Sequence, residues 1–235
     1  MSKGKLDKFA EIGTFPNVFQ LPSLHNSDDF SLKGKWHKEY FKNDNPLVLE
    51  LGCGKGEYTV GLAEQFPDKN FIGVDIKGAR LWRGSKTAFD NKMNNVAFVR
   101  TRIDHIEKVF AAGEVDEIWV TFPDPQPQKT RERKRLTSPV FLKRYSNILK
   151  SGGIVNLKTD NFPLYDYSKD VAQELKLELL AATADLYKSI EKAEDVYISK
   201  NAELLQIKTY YEKMFLEQGL KINYLSFKIN RLSET

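Results

Sequence analysis

The sequence predicts an α/β fold: a doubly wound, mostly parallel seven-stranded sheet with an antiparallel edge strand. Three observations carry that expectation. Short apolar runs alternate with helical patterns from residue 47 to residue 159. The first run leads into Gly52-Cys-Gly54-Lys-Gly56, a turn with glycine at every second position. Carboxylates then recur where strands end, at Glu50, Asp75, Asp104, Asp124 and Asp160. Strands alternating with helices imply right-handed crossovers, and ligands in such sheets bind beyond the carboxyl ends of the strands.

Residues 1–45 have few periodic apolar positions and contain Pro16, Pro22 and an Asn/Asp-rich stretch at 26–29. They are expected to form a basic N-terminal extension that wraps the domain or orders on substrate. Lys3, Lys5, Lys8, Lys33, Lys35, Lys38 and Lys42 make it basic. Trp36 and Tyr40, four apart, share one face of a short helix over 35–41 that leads into the core. A single domain is expected over 46–235. Its first strand is Leu47-Val-Leu-Glu50-Leu, apolar enough to be buried on both faces. A helix over 57–66 follows the glycine turn, then a strand over 70–75 ending in Asp75, a helix over 78–92 and a strand over 95–100. A short helical segment over 102–110 follows and contains Asp104. The fourth strand, 117–122, runs into Phe122-Pro-Asp124-Pro125. A helix over 139–149, a turn at 150–153 and a strand over 154–159 complete the alternation. Residues 177–182 and 222–227 are late strand candidates, separated by a polar segment of helical pattern over 185–219.

Composition narrows the function classes. With 41% hydrophobic residues the 235-residue chain can bury a core. No apolar run approaches the roughly 20 residues that span a bilayer. The start lacks an apolar signal core, and Cys53 is the single cysteine. A cytoplasmic protein without disulfides or a multi-cysteine zinc site is therefore expected. Net charge is only +4, but Lys129, Arg131, Arg133, Lys134 and Arg135 form a second basic cluster. Two such clusters favour a phosphate-bearing partner over an ordinary solvated loop.

Strand, glycine turn and helix bring backbone close to a nucleotide-like ligand. The spacing GxGxG is one residue shorter than the dinucleotide fingerprint, and Glu50 stands just before it. Such a tight acidic turn suits a cationic donor without a pyrophosphate, of which S-adenosylmethionine is one. A turn without a ligand is the plainer reading. Asp75, about 20 residues on, is placed to accept both hydroxyls of a ribose; a helix N-cap is its alternative. Asp104 suits a site or a cap equally. Prolines on both sides of Asp124 hold its carboxylate rigidly and favour a site over a simple turn. His25, His37 and His105 are read as structural or incidental rather than catalytic.

Taken in order, Leu-Glu50-Leu-Gly-Cys-Gly-Lys-Gly, Gly-Val-Asp75, Phe-Pro-Asp124-Pro, Lys134-Arg-Leu-Thr137, Lys158-Thr-Asp160 and Thr209-Tyr-Tyr-Glu212 resemble the TrmB family, the tRNA (guanine-N(7)-)-methyltransferases. Phe15-Pro-Asn-Val-Phe19 is similar to that family's N-terminal region, and the likeness runs from about residue 15 to 228. It implies a class I, Rossmann-like methyltransferase domain using S-adenosylmethionine on tRNA. The target would be the guanosine at position 46 of the variable loop, and no metal is involved. By position, Glu50, Gly52, Gly54, Gly56, Asp75, Asp104 and Asp124 match donor-binding residues. Asp124 also matches the position beside the target base and is the catalytic candidate. Asp160, Thr209 and Glu212 match substrate-binding positions, and Arg131, Arg133, Lys134 and Arg135 are the candidates for the RNA backbone. One departure stands out. The family's aromatic and lysine pair after PDP are replaced here by Gln126-Pro-Gln128-Lys129, so the first lysine is Gln128, and Lys129 is the candidate to take over its role. The residues by themselves also admit a methyltransferase acting on other substrates, a nucleotide-sugar or NAD enzyme, or a non-catalytic RNA-binding module.

Overall fold

Residues 3–21 and 30–232 are described in a computed structural model. Pro22, His25 and the stretch 26–29 lie outside the described residues. The chain forms two compact units, Met1–Val115 and Asp116–Thr235. Among the described residues there are eight strands, four associated with each unit, one more than expected.

In the first unit the strands are β1 Val18–Gln20, β2 Leu47–Leu51, β3 Asn70–Asp75 and β4 Val96–Arg100. They lie in the order β1-β4-β3-β2, and all three pairings are parallel. Every residue of β2 and β3 is buried, as suits their mainly apolar sequences. The helices are α1 Lys3–Glu11, α2 Glu57–Gln65, α3 Gly78–Asp90 and the short α4 Ile106–Val109.

The additional strand is β1, which lies inside the region expected to be an extension. Three residues carry no readable periodicity, so only pairing reveals them as a strand. The Phe98 amide donates to the Asn17 carbonyl at 2.8 Å and Val18 registers with Phe98. The described part of residues 1–45 is thus built into the first unit. Trp36, with no exposure, sits among Phe19, Phe30 and Phe110 at 5.2–5.7 Å between ring centroids. The helical turn Trp36–Phe41 puts Tyr40 5.9 Å from Trp36, as their spacing suggested, but it is a wide π turn. Glu114 closes this region: its carboxylate accepts the backbone amides of Gly34, Trp36 and Ala111 at 2.9, 3.2 and 2.8 Å.

The second unit holds β5 Val115–Thr121, β6 Leu149–Thr159, β7 Glu178–Thr183 and β8 Asn223–Ile229, in the order β5-β6-β8-β7. Strand β8 is antiparallel to both of its neighbours, so the sheet edge is antiparallel as expected. Its helices are α5 Pro139–Ile148, α6 Phe162–Glu174, α7 Leu186–Lys192, α8 Val196–Lys200, α9 Ala202–Leu205 and α10 Tyr210–Glu217. The turn expected at 150–153 is absorbed into a longer β6, where Asn230 Oδ1 accepts the Gly152 amide at 3.0 Å. Between β7 and β8 the helical pattern breaks into four short helices. Asp185, Asp195 and Thr209 each accept an amide of the first turn and restart the helix.

Candidate functional site

In the first unit the glycine turn is fastened to the end of β3. Gly52, Gly54 and Gly56 have φ of 79°, 56° and 71°, in the left-handed region. The amides of Gly52 and Cys53 donate to the Val74 carbonyl at 2.8 and 3.1 Å. The Gly54 amide donates to Asp75 Oδ2 at 2.9 Å, and the Lys77 amide to Asp75 Oδ1 at 2.7 Å. Gly56 has a second reason to be glycine, since a Cβ there would lie 2.5 Å from the Phe98 ring. Glu50, Gly52, Gly54, Gly56 and Asp75 are therefore brought together as expected.

Within that group Glu50 is buried, and its Oε2 accepts the Thr59 amide at 2.9 Å and the Thr59 hydroxyl at 2.5 Å. Thr59 is the third residue of α2, so the carboxylate satisfies a helix N-terminus and meets its positive end. Asp75 makes an Asx-type turn to Lys77 and does not occupy the cap position, which Lys77 holds. Cys53 is buried between these acids. Burial first, then the charges of Glu50 and Asp75, push its thiol well above the usual range. It is a turn residue, held neutral. Asp104 lies in the turn Ile103–His105, half-exposed, where Arg102 Nη2 meets its Oδ2 at 2.8 Å. The caps of that turn and of α4 are Arg102 and His105.

In the second unit β5 ends one residue before a constrained loop. Phe122 and Gln126 both take positive φ, 47° and 44°. Non-glycine residues hold that conformation only where their surroundings impose it, and such strain gathers at functional sites. Asp124 stands exposed between them, and its Oδ1 accepts the Gln126 amide at 3.1 Å. Two contacts impose the conformation of Phe122. Its amide donates to the Lys158 carbonyl at 2.8 Å, and its ring lies 5.8 Å from that of Phe215 on α10.

The basic loop after it winds into a 3-10 turn, Lys129–Lys134. Gln128, Lys129, Arg131, Arg133 and Lys134 are exposed. Arg135 departs from the expectation for this cluster. It is half-buried, its Nε donates to the Gln126 carbonyl at 3.3 Å and its guanidinium lies 4.2 Å from the Tyr167 ring centre. Its side chain is committed to holding the Asp124 loop.

Asp160 follows β6 half-buried, and burial raises its carboxyl above the ordinary 3.8, against the effect of its own backbone amide. Thr209 and Glu212 do come together, as the two ends of a helix cap: Thr209 Oγ1 accepts the Glu212 amide at 3.0 Å. Glu212 itself has no exposure. Its Oε1 meets Lys158 Nζ at 2.7 Å, also without exposure, and accepts the Tyr187 hydroxyl at 2.7 Å. Lys158 Nζ donates as well to the carbonyls of Leu205 and Ile207 at 3.0 and 3.2 Å. Sequence reasoning recognised Lys158 only as part of a motif and missed Tyr187. A lysine beside Leu157 near the end of a largely buried strand was the available signal, since such a charge stays buried only when paired.

Among the described residues no group of three or more His, Cys, Asp or Glu is arranged to hold a metal ion, and no helix is long and apolar enough to cross a membrane.

The fold is that of a class I, Rossmann-like methyltransferase. Residues 44–225 match the family described as "Putative methyltransferase". Solved structures of the same fold include an antibiotic-related methyltransferase and the 16S rRNA methyltransferase KamB. Both have a TM-score of 0.61 at 15% identity; they cover 86% and 88% of this chain and 96% and 97% of their own. The particular family comes from sequence. The chain is 51% identical over its whole length to a tRNA (guanine-N(7)-)-methyltransferase of Bacteroides fragilis, covering 89% of it. It is 52% identical to that of Christiangramia forsetii, over 97% of this chain and 99% of the relative. The chain belongs to the tRNA (guanine-N(7)-)-methyltransferase family.

Proposed function

We propose that this protein transfers the methyl group of S-adenosylmethionine to nitrogen 7 of a guanosine in tRNA, at position 46 of the variable loop, in the cytoplasm. The observation that carries the reading is 51% identity along the entire chain to a relative of that name. The first unit's residues fit the donor. Each Asp75 oxygen accepts one backbone amide, and a carboxylate oxygen has a second lone pair free to accept a ribose hydroxyl. Gly52 is exposed beside it without a side chain to obstruct a ligand. Glu50, Gly52, Gly54, Gly56, Asp75 and Asp104 would hold the donor, which supplies an activated methyl group on a cationic sulfur.

Nitrogen 7 of guanine has a free lone pair and no proton, so no general base is required. The candidate residues are accordingly carboxylates, and the reading assigns no histidine a role. The methylated base becomes cationic, and a fixed carboxylate stabilises that charge as it develops. Asp124, on its strained proline-flanked loop, is our candidate for that role. The rest of the task is alignment. Lys129, Arg131, Arg133 and Lys134 would grip phosphates, Gln128 and Asp160 would meet the substrate, and Thr209 with Glu212 would shape that side through the start of α10.

The test is strand cleavage at 7-methylguanosine, after borohydride and aniline treatment of unmodified tRNA incubated with protein and donor. Cleavage at one guanosine is expected, and absence of cleavage or methylation of another atom would overturn the reading. Asp124→Asn keeps the shape without the charge. Its kcat should fall much further than its tRNA affinity; full activity would remove Asp124 from the mechanism while leaving the reaction.

A further inference from the structure

The geometry points to Lys158 and Glu212 as a buried positioning pair that sets the conformation of the Asp124 loop, rather than as groups that touch RNA. The inference rests on the reading of Asp124 as the catalytic carboxylate. Both side chains have no exposure and meet at 2.7 Å. A charge pair taken out of water persists only when its geometry and remaining hydrogen bonds are good. Here Lys158 is matched by three oxygens, from Glu212, Leu205 and Ile207. Glu212 Oε1 has two donors, Lys158 and Tyr187, while its Oε2 is buried without a hydrogen-bond partner.

The pair connects to the loop by two routes that start from its own residues. Lys158 is also the residue whose carbonyl receives the Phe122 amide. Glu212 lies in the first turn of α10, and Phe215 one turn further on packs on the Phe122 ring. Phe122, in turn, is a left-handed residue two positions before Asp124. Its strained backbone is thus gripped at the amide by the strand that carries Lys158 and at the ring by the helix that carries Glu212. The ion pair ties that helix and the carbonyls at 205 and 207 to the strand. Loosening the pair should let Phe122 relax and Asp124 wander, while the exposed basic turn and the glycine turn keep their structure.

Three variants test this. Glu212→Gln keeps the shape and the oxygen that Tyr187 uses but removes the charge. Lys158→Met removes its partner. The double variant Lys158→Met/Glu212→Gln leaves no unpaired charge, so it remains informative if Lys158→Met does not fold. For Glu212→Gln and the double variant, kcat should fall by about tenfold or more, with donor Kd and tRNA KM within about threefold of wild type. The double variant should lose no more than the worse single, the signature of two groups acting as one. Amide exchange at Phe122 and Gln126 should quicken in both, while exchange along α2 stays unchanged. A raised KM at unchanged kcat would mean that Glu212 contacts substrate, and would overturn the inference. So would unchanged exchange at Phe122. If wild-type protein transfers no methyl group, the functional reading fails, and the exchange measurement still decides whether the pair holds the loop.

Discussion

Asp75 shows how a side chain proposed to bind a ligand can first serve the fold. Each of its oxygens already holds an amide, so the carboxylate is fixed in place by the fold itself. Asp75→Ala should remove hydrogen bonds to a charged acceptor, each about 1.5–3 kcal/mol. Donor affinity measured by calorimetry should fall at least about tenfold; unchanged affinity in the folded variant would sink the assignment. Gly56→Ala is a test of packing instead. It combines a left-handed φ of 71° with a Cβ placed 2.5 Å from Phe98. We expect a loss of about 1–3 kcal/mol in chemical denaturation. An equally stable variant would mean that the Phe98 ring swings away at no cost.

Among the elements, the side chains of the basic 3-10 turn divide by exposure. Arg131, Arg133 and Lys134 project from it, whereas Arg135 is turned back onto Tyr167 and Gln126. Replacing Arg131, Arg133 and Lys134 by Ala should weaken tRNA binding and flatten its dependence on salt by about one phosphate contact per side chain. Donor binding should stay the same, and an unaltered salt slope would show the turn to be an ordinary solvated one. Arg135→Ala should act differently, lowering turnover more than the salt slope because it frees the loop that carries Asp124. The helical insert has its own lesson. Its polar pattern announced helices, but their lengths are decided by the caps at Asp185, Asp195 and Thr209. The motif Thr209-Tyr-Tyr-Glu212 is such a cap before it is anything else.

On the scale of the whole molecule, buried acids whose protonated form is favoured by folding should limit stability at alkaline pH. Burial first, then the charges of Glu50 and Asp75, push the Cys53 thiol up from its ordinary 9.0, and burial pushes the Tyr40 hydroxyl from 10.0 to about 12. Each folded value is raised, so the protonated form is favoured by folding. That contribution is whole below the unfolded values and is lost as pH climbs past them towards the folded ones. Denaturant midpoints should hold up to about pH 9 and fall between pH 9 and 12, with Cys53→Ala flattening the first part of the decline. A midpoint independent of pH in that window would contradict the burial. The alternation of strands and helices, the glycine turn and the acids at the strand ends are all legible in the chain. Those signals are local: apolar periodicity, left-handed backbone and charge within a few residues. Tertiary structure alone decided the rest. Val18–Gln20 is too short to read as a strand until β4 supplies its hydrogen-bond partners. Glu50 was legible as an acid beside a glycine turn, but its use on the start of α2 depends on where Thr59 lands. Lys158 and Glu212 lie far apart along the chain, and no local pattern pairs them. Only the packing of the insert onto β6 removes both from water, and a charge buried in that way must find its opposite.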